Sequence, residues 1–352
     1  MTETDRSESV RMIRDSVGAI APVGGDLNRI RALRGDSRGV DRAVWQQIVD
    51  LGWLTLLFEE DRGGLGLGVR ELAAIGQELG AALVPEPVTA VAAMVPLLEA
   101  STRQSVLDGT LIVVRAWRET ISRLDARPQT AVQDGKITGT KVLVASAAAA
   151  DAFIVSTENG AVLVDRDADG VGLDLKRTQD GGQSGTLKLN GAACTPIAGD
   201  FAAMLEMLAL AHCAYLLGAS ERAFAMTLDY LGVRKQFGRP IGSFQVLQHR
   251  AAEAKVQIAI SRAVLDEAIL DVERHASSRD RVRSASRAIA RVSDTAMLIA
   301  REAVQMHGAI GITDEHDIGL FCRKILTIYN RFGTASANRS RYLASLQTES
   351  AA

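Results

Sequence analysis

At 352 residues with 47% hydrophobic side chains, the chain can bury a substantial core and is long enough for two or three domains. Lys+Arg 40 against Asp+Glu 42 leaves a net charge of -2, which argues against a general role at nucleic acid or an anionic membrane surface. The scattered cysteines Cys194, Cys213 and Cys322 form neither a disulfide framework nor a zinc spacing, and the start MTETDRSESVRMIRD is unlike a signal peptide, so a reduced, cytoplasmic compartment is expected. No apolar run reaches ~18 residues without a charge, so no membrane span is expected.

Residues 1–111 read as short helices. Val44, Ile48, Leu51 and Leu54 recur at helical spacing, as do Leu72, Ile75, Leu79 and Leu83, with the glycine-rich loop FEEDRGGLGLG between them. Pro85 and Pro87 break the chain before the apolar helix AAMVPLLEA. Residues 112–197 change character: LIVVRAW, QTAVQDGKITGTKVLV, DAFIVST, AVLVDR and GTLKLNG are short β-rich runs, with hairpin signals at Asp134-Gly135 and Glu158-Asn159-Gly160-Ala161. A small antiparallel barrel or sandwich is expected there. From 198 to 352 long helical patterns return, in the runs starting at Phe201, Phe244 and Ser278, followed by FCRKILTIYNR and ANRSRYLASLQ. The fold class is α+β: a helical domain, a central antiparallel β-domain and a helical bundle.

VRKQFGRPIGSFQVLQH (233–249) joins two of the long helices through a Gly-Arg-Pro turn, and Ser243 is placed to cap the second helix. Arg234, Lys235, Arg239 and the helix start near 243–245 concentrate positive potential suited to phosphate or pyrophosphate. The plainer alternative is a basic interhelical turn.

RKQFGRPIGSFQVLQH resembles the hallmark of the acyl-CoA dehydrogenase family. QMHGAIGITDEHDIGLFCRK (305–324) is similar to that family's glycine-rich segment, and LGWLTLLFEEDRGGLGLG (51–68) to its amino-terminal helical domain. The resemblance runs over essentially the whole chain. It implies three domains, bound FAD, a tetramer built from dimers, and removal of hydrogens from the α and β carbons of an acyl-CoA thioester. In the family a carboxylate takes the α-proton and the flavin accepts the β-hydrogen as hydride.

Carried over by position, Arg234 matches the arginine at the FAD pyrophosphate and Phe237 the phenylalanine beside the cofactor. Gln245 matches the glutamine near the adenosine. Gln305 and Gly308 match the pair that approaches the ADP from the neighbouring subunit. Guanidinium for phosphate, amides for polar edges and glycine for close approach fit these roles. Ala309 departs from the family, which usually has a second glycine there.

The flavin-ring side departs further. The family's Thr-Glu-Pro-Gly-Ala-Gly-Ser-Asp-like loop corresponds to AWRETISRLDARP, where only Glu119 remains. Its Trp-Ile-Thr-Asn-like strand corresponds to KVLVASAA (141–148), with Leu143 for the tryptophan and Ala145 for the threonine. The alanines 147–150 suggest a tight loop or close packing where the ring would sit.

The family's usual base is a glutamate before Gly-Thr, seventeen residues after the position of Glu315; here that residue is Phe332, in RFGT. Thr334, the threonine of the pair, is expected among the cofactor-binding residues. The alternative base position, ten residues before Gly218, holds Leu208, followed by Ala209. Neither apolar side chain accepts a proton, so no catalytic residue is assigned.

These losses and retentions match the non-catalytic subunit of a heteromeric α2β2 enzyme, whose partner carries the glutamate and the ring contacts. A steroid-derived or fatty acyl-CoA substrate is implied by that analogy. Two alternatives are a homotetramer with a relocated base or an altered reaction, and a flavin-free structural homologue. Glu206 is the first candidate for such a base, although its place on the helix reads better as a surface or interface carboxylate. Asp314, Glu315 and Asp317 read as turn and capping groups, His212 as a satisfied core histidine, His307 as packing and His249 as helix surface. Trp45, Trp53 and Trp117 read as packing residues, and no metal spacing is present.

Overall fold

The structure, a computed structural model, describes residues 3–18, 20–21, 24–121, 128–274 and 277–347. The chain opens with helices α1 (Glu3–Val17), α2 (Asn28–Leu33), α3 (Arg42–Asp50), α4 (Val69–Ala81), α5 (Val88–Met94) and α6 (Ala100–Leu107). Strands β1 (Val113–Ala116), β2 (Ala131–Gln133), β3 (Lys136–Ala145), β4 (Ala152–Thr157), β5 (Gly160–Asp165), β6 (Val171–Arg177), β7 (Gln183–Ala193) and β8 (Thr195–Pro196) follow. The remainder is α7 (Phe201–Val233), the hairpin β9 (Lys235–Gln236) and β10 (Arg239–Pro240), then α8 (Gln245–Arg274), α9 (Ser278–His307), α10 (Ile318–Ile328) and α11 (Ala335–Gln347). The fold is thus helical, then β, then helical. By contact the chain forms two compact units, one of Asn28–Leu72 and Pro85–Leu208, the other of Met1–Leu27, Ala73–Val84 and Ala209–Ala352.

In the first unit, Asp41 caps α3 by accepting from the Ala43 and Val44 amides, and the helix buries Trp45 and Ile48. Trp53 packs in the short helical turn that follows. The strands make two sheets, ordered β1-β4-β5-β8 and β2-β3-β7-β6. Asp134 and Gly135 both take positive φ, 51° and 71°, the geometry of a two-residue hairpin turn between β2 and β3.

Two features differ from the sequence reading. β1 pairs with β4 in parallel, Val113 opposite Ala152, whereas the other ladders of these sheets are antiparallel. The chain between β1 and β4 detours through β2 and β3 of the other sheet, which supplies the long crossover a parallel pair requires. β6 was not among the anticipated strands; it is a partly exposed edge strand, and Val171, Leu173 and Leu175 show its period of two.

In the second unit, α9 packs against α8, α10 and α11. α4 and α7 meet backbone to backbone. A Cβ on Gly76 would lie 2.5 Å from the Ala211 carbonyl oxygen, one on Gly80 2.0 Å from that of Tyr215, and one on Gly218 1.9 Å from that of Gln77. Only glycine permits that approach. Among the described residues, α7 is the one helix long and apolar enough to cross a membrane; most of its apolar window is buried inside the fold.

Candidate functional site

The carboxy end of α7 turns directly into the β9–β10 hairpin. The Arg234 amide donates to the Tyr230 carbonyl at 2.9 Å, and the Ile241 amide donates to the Arg234 carbonyl at 2.8 Å. Phe237 and Gly238 form the hairpin tip with φ of 52° and 77°. Phe237 is 90% exposed, and its ring meets that of Phe244 edge-on at 6.1 Å, with the Arg239 guanidinium 4.2 Å from the Phe244 ring centroid. A bulky residue held in the left-handed region and open to solvent is an outlier that marks a candidate contact surface. Arg234 and Gln245 are also exposed. Among the described residues, the Arg234 guanidinium has no hydrogen-bond or ion-pair partner. Ser243 does not cap α8: its hydroxyl donates to the Pro240 carbonyl at 2.8 Å, inside its own turn.

The second segment closes α9. Gly308 ends that helix with φ 67° and ψ -143°, and a Cβ there would meet nothing within 4 Å. Gln305, Gly308 and Ala309 are exposed. The two segments converge, because the Tyr230 ring stacks on His307 with centroids 4.5 Å apart. Tyr230 is one helical turn before Arg234, and His307 stands between Gln305 and Gly308. The aromatic join between the segments was not anticipated from the sequence. The residues fit the ADP end of a dinucleotide: an uncommitted guanidinium for a pyrophosphate, exposed amides for polar edges, and open backbone at a glycine.

Thr334 lies in a different turn, where it caps α11: its hydroxyl accepts from the Ala337 amide at 3.1 Å. The neighbouring Phe332 is 6% exposed and its ring lies 5.2 Å from that of His212. His212 Nε2 donates to the Ile328 carbonyl at 3.0 Å, so this histidine is held in the core. Asn338 Nδ2 donates to the carbonyls of Phe332 at 2.9 Å and Thr334 at 3.0 Å, and Gly333 takes φ 91°. The turn is therefore fixed and its aromatic group packed inward. Leu208 is buried on α7. Glu206, read from its helical position as a surface or interface carboxylate, is buried and is not without a partner.

In the β-domain, Glu119 anchors a buried polar cluster. Its Oε1 accepts from Lys141 Nζ at 2.7 Å, from the Thr130 amide at 2.9 Å and from the Thr130 hydroxyl at 2.5 Å; its Oε2 accepts from the Gln129 amide at 2.7 Å. Lys141 is 0% exposed and also donates to the Ser156 hydroxyl at 3.0 Å, which in turn donates to the Trp117 carbonyl at 3.1 Å. Partial burial pushes the Glu119 carboxyl up, but the bonds from Lys141, Thr130 and Gln129 outweigh it and hold the pKa at about 2. Burial pushes the Lys141 ammonium down, opposed by Glu119. The position of Lys141, four residues after the buried Ile137 on β3, was the available signal for this pair.

β3 carries a bulge between Lys141 and Val144. Leu143 occupies it with φ 53° and is 46% exposed, and the Val142 amide donates to the Arg118 carbonyl at 2.7 Å. The alanines 147–150 are buried in a tight turn held by Arg166, whose Nη1 donates to the carbonyls of Ala148 and Ala150, each at 2.9 Å. Neither Leu143 nor Ala145 offers a side-chain hydrogen bond to a ligand. Of the loop 116–128, residues 122–127 lie outside the described residues. Among the described residues, no group of three or more His, Cys, Asp or Glu side chains could hold a metal ion.

Comparison with known proteins gives a consistent family. The model for "Acyl-CoA dehydrogenase, C-terminal domain" matches residues 200–346, and that for the "Acyl-CoA dehydrogenase, N-terminal domain" matches residues 7–104. The chain is 30% identical over 327 residues to acyl-CoA dehydrogenase IpdE2 of Mycolicibacterium smegmatis, covering 90% of this chain and 92% of that protein. Among solved structures, a variant of the Tcur3481-Tcur3483 steroid ACAD superposes with a TM-score of 0.90 at 26% identity, over 98% of this chain and 99% of that one. The ChsE4-ChsE5 complex from Mycobacterium tuberculosis superposes with a TM-score of 0.84 at 25% identity, over 99% of this chain and 98% of that one.

Proposed function

The chain belongs to the acyl-CoA dehydrogenase family, and from that premise we propose that it is the subunit of a heteromeric enzyme that carries no base of its own. Phe332 carries this reading. It stands in the base slot, and its ring is packed against His212 rather than aimed at open space. A benzyl group cannot take an α-proton from a thioester. The partner chain supplies the glutamate.

This chain contributes the ADP side of the FAD site. Arg234 binds the pyrophosphate, Gln245 and Gln305 meet the polar edges of the adenosine end, and Gly308 lets backbone approach. Phe237 lies against the cofactor, and Thr334 is a further candidate contact. FAD, when bound, supplies the hydride acceptor. The isoalloxazine ring is held mainly by the partner, since Leu143 and Ala145 give it no side-chain hydrogen bond. The division into 1–111, 112–197 and 198–352 belongs to the same reading.

Exposed apolar side chains support a partner chain: Val233, Phe237, Val246, Val256 and Ile260 are all solvent-facing on α7, the hairpin and α8. The likeness to a steroid ACAD and to the ChsE4-ChsE5 complex supports a steroid-derived CoA thioester and an α2β2 assembly. Co-expression with a family chain carrying Glu-Gly-Thr tests the proposal. The expected result is a co-purifying complex that holds flavin. A chain that forms a stable homotetramer with a full flavin complement by itself contradicts it.

A further inference from the structure

Three aromatic side chains meet where the two ADP-side segments converge. Tyr230 stacks on His307, His316 lies 4.7 Å from His307 at an interplanar angle of 58°, and His316 meets Tyr230 edge-on at 6.0 Å. Tyr230 is held to the first segment through its carbonyl, which accepts from the Arg234 amide. His307 and His316 flank the short helical turn Gly308–Ile312 of the second segment. Gly311 in that turn sits close over His307, where a Cβ would lie 3.0 Å from the His307 Cβ.

The hydrogen bonds fix both tautomers. His307 Nδ1 lies 2.7 Å from the Ala303 carbonyl, which can only accept, so Nδ1 carries the proton. His307 Nε2 is then a bare acceptor, buried without a partner in a side chain only 3% exposed. His316 is the reverse. Its Nδ1 accepts from the Ile318 amide at 3.1 Å and must be unprotonated to do so. That amide is the first of α10, and Asp317 beside it makes no side-chain cap bond. His316 therefore does the capping work at the start of α10.

We propose that His316 is a positioning residue that, only while neutral, ties α10 to the His307–Tyr230 stack and so fixes the ADP-side segments relative to each other. The part concerning ADP rests on the cofactor reading above. Protonation removes the acceptor at Nδ1 and sets an imidazolium against the positive end of α10. The groups facing His316 are His307 from α9 and Tyr230 from α7. Its own turn carries Asp314, Glu315 and Asp317, and α10 carries Lys324 and Arg323, the latter paired with Asp314 at 2.5 Å. Asp314 is thus already committed to a cation.

The test is hydrogen–deuterium exchange of the first turn of α10 in the purified chain at about pH 8 and about pH 5.5, corrected for intrinsic rates. Wild-type protection should fall about five-fold or more on acidification, the size of one capping bond. H316D keeps an acceptor for an amide two residues on, so its protection should not change with pH; H316A should be unprotected at both. Equal pH responses in wild type and H316D overturn the proposal. ADP titrations run alongside with R234A. If ADP binding weakens on acidification in wild type but not in H316D, the coupling to the cofactor segment is supported; if ADP binds and its pH response is the same in both, that coupling is overturned. ADP binding that R234A leaves unchanged contradicts the cofactor reading and leaves the capping result standing.

Discussion

The ring of Phe332 packs 5.2 Å from that of His212, and His212 is itself tied to the Ile328 carbonyl. The position proposed above as the base slot is therefore part of the bundle's interior packing. Replacing Phe332 by glutamate removes a buried aromatic and sets a carboxylate in its place. Phe332→Glu should lower stability by about 3 kcal/mol or more, from the lost packing alone. It should leave the chain without dehydrogenase activity. Chemical denaturation and an acyl-CoA assay check both; a variant as stable as wild type and active would mean the slot is open.

The Lys141–Glu119 pair makes a second prediction. Lys141→Met leaves the Glu119 carboxylate in its partly buried site without its cation and should cost about 3–5 kcal/mol, as one-sided loss of a buried ion pair does. Adding Glu119→Gln should recover part of that loss, because the uncompensated charge is then gone. Urea titrations of the single and double variants test the coupling.

The same pair sets an acid limit. Glu119 is held at about 2 in the folded chain, below the roughly 4.3 of a free glutamate. A depressed carboxyl stabilises the fold fully above about 4.3, and that contribution is lost as pH falls from there through about 2. Lys141→Met should flatten stability against pH across this window, measured by thermal unfolding. An unchanged slope would mean the pair does not control acid stability.

Arg234 carries the cofactor prediction. Its guanidinium is exposed and uncommitted, so Arg234→Ala should leave thermal stability within about 0.5 kcal/mol. Losing a charge-assisted contact of about 1.5–3 kcal/mol should reduce flavin retention by the complex roughly ten-fold or more near the dissociation constant. Flavin absorbance per complex, read against dilution, checks it.

Much of this architecture is legible along the chain because periodicity is local. The spacing of Leu72, Ile75 and Leu79 marks α4, and Asp134-Gly135 marks the β2–β3 turn. The β1–β4 pairing is not legible, since nothing near Val113 specifies Ala152 as its parallel neighbour. Leu143 reads as an ordinary strand residue; its positive φ follows from a bulge whose register is set by β7. The burial of Glu206 is not legible either, because helical angle alone does not say what packs beside it. The Tyr230–His307–His316 join depends on how the ends of α7, α9 and α10 converge, and residues so far apart in sequence give no local signal of it.

The central claim is that this chain lacks a base and works with a partner that has one. The most direct measurement is acyl-CoA dehydrogenation with an artificial electron acceptor, by the chain alone, by the complex, and by the complex whose partner glutamate is changed to glutamine. The account predicts turnover only in the intact complex, with losses of about 10²–10⁴-fold or more in the other two. Turnover at ordinary enzymatic rates by this chain alone would contradict it.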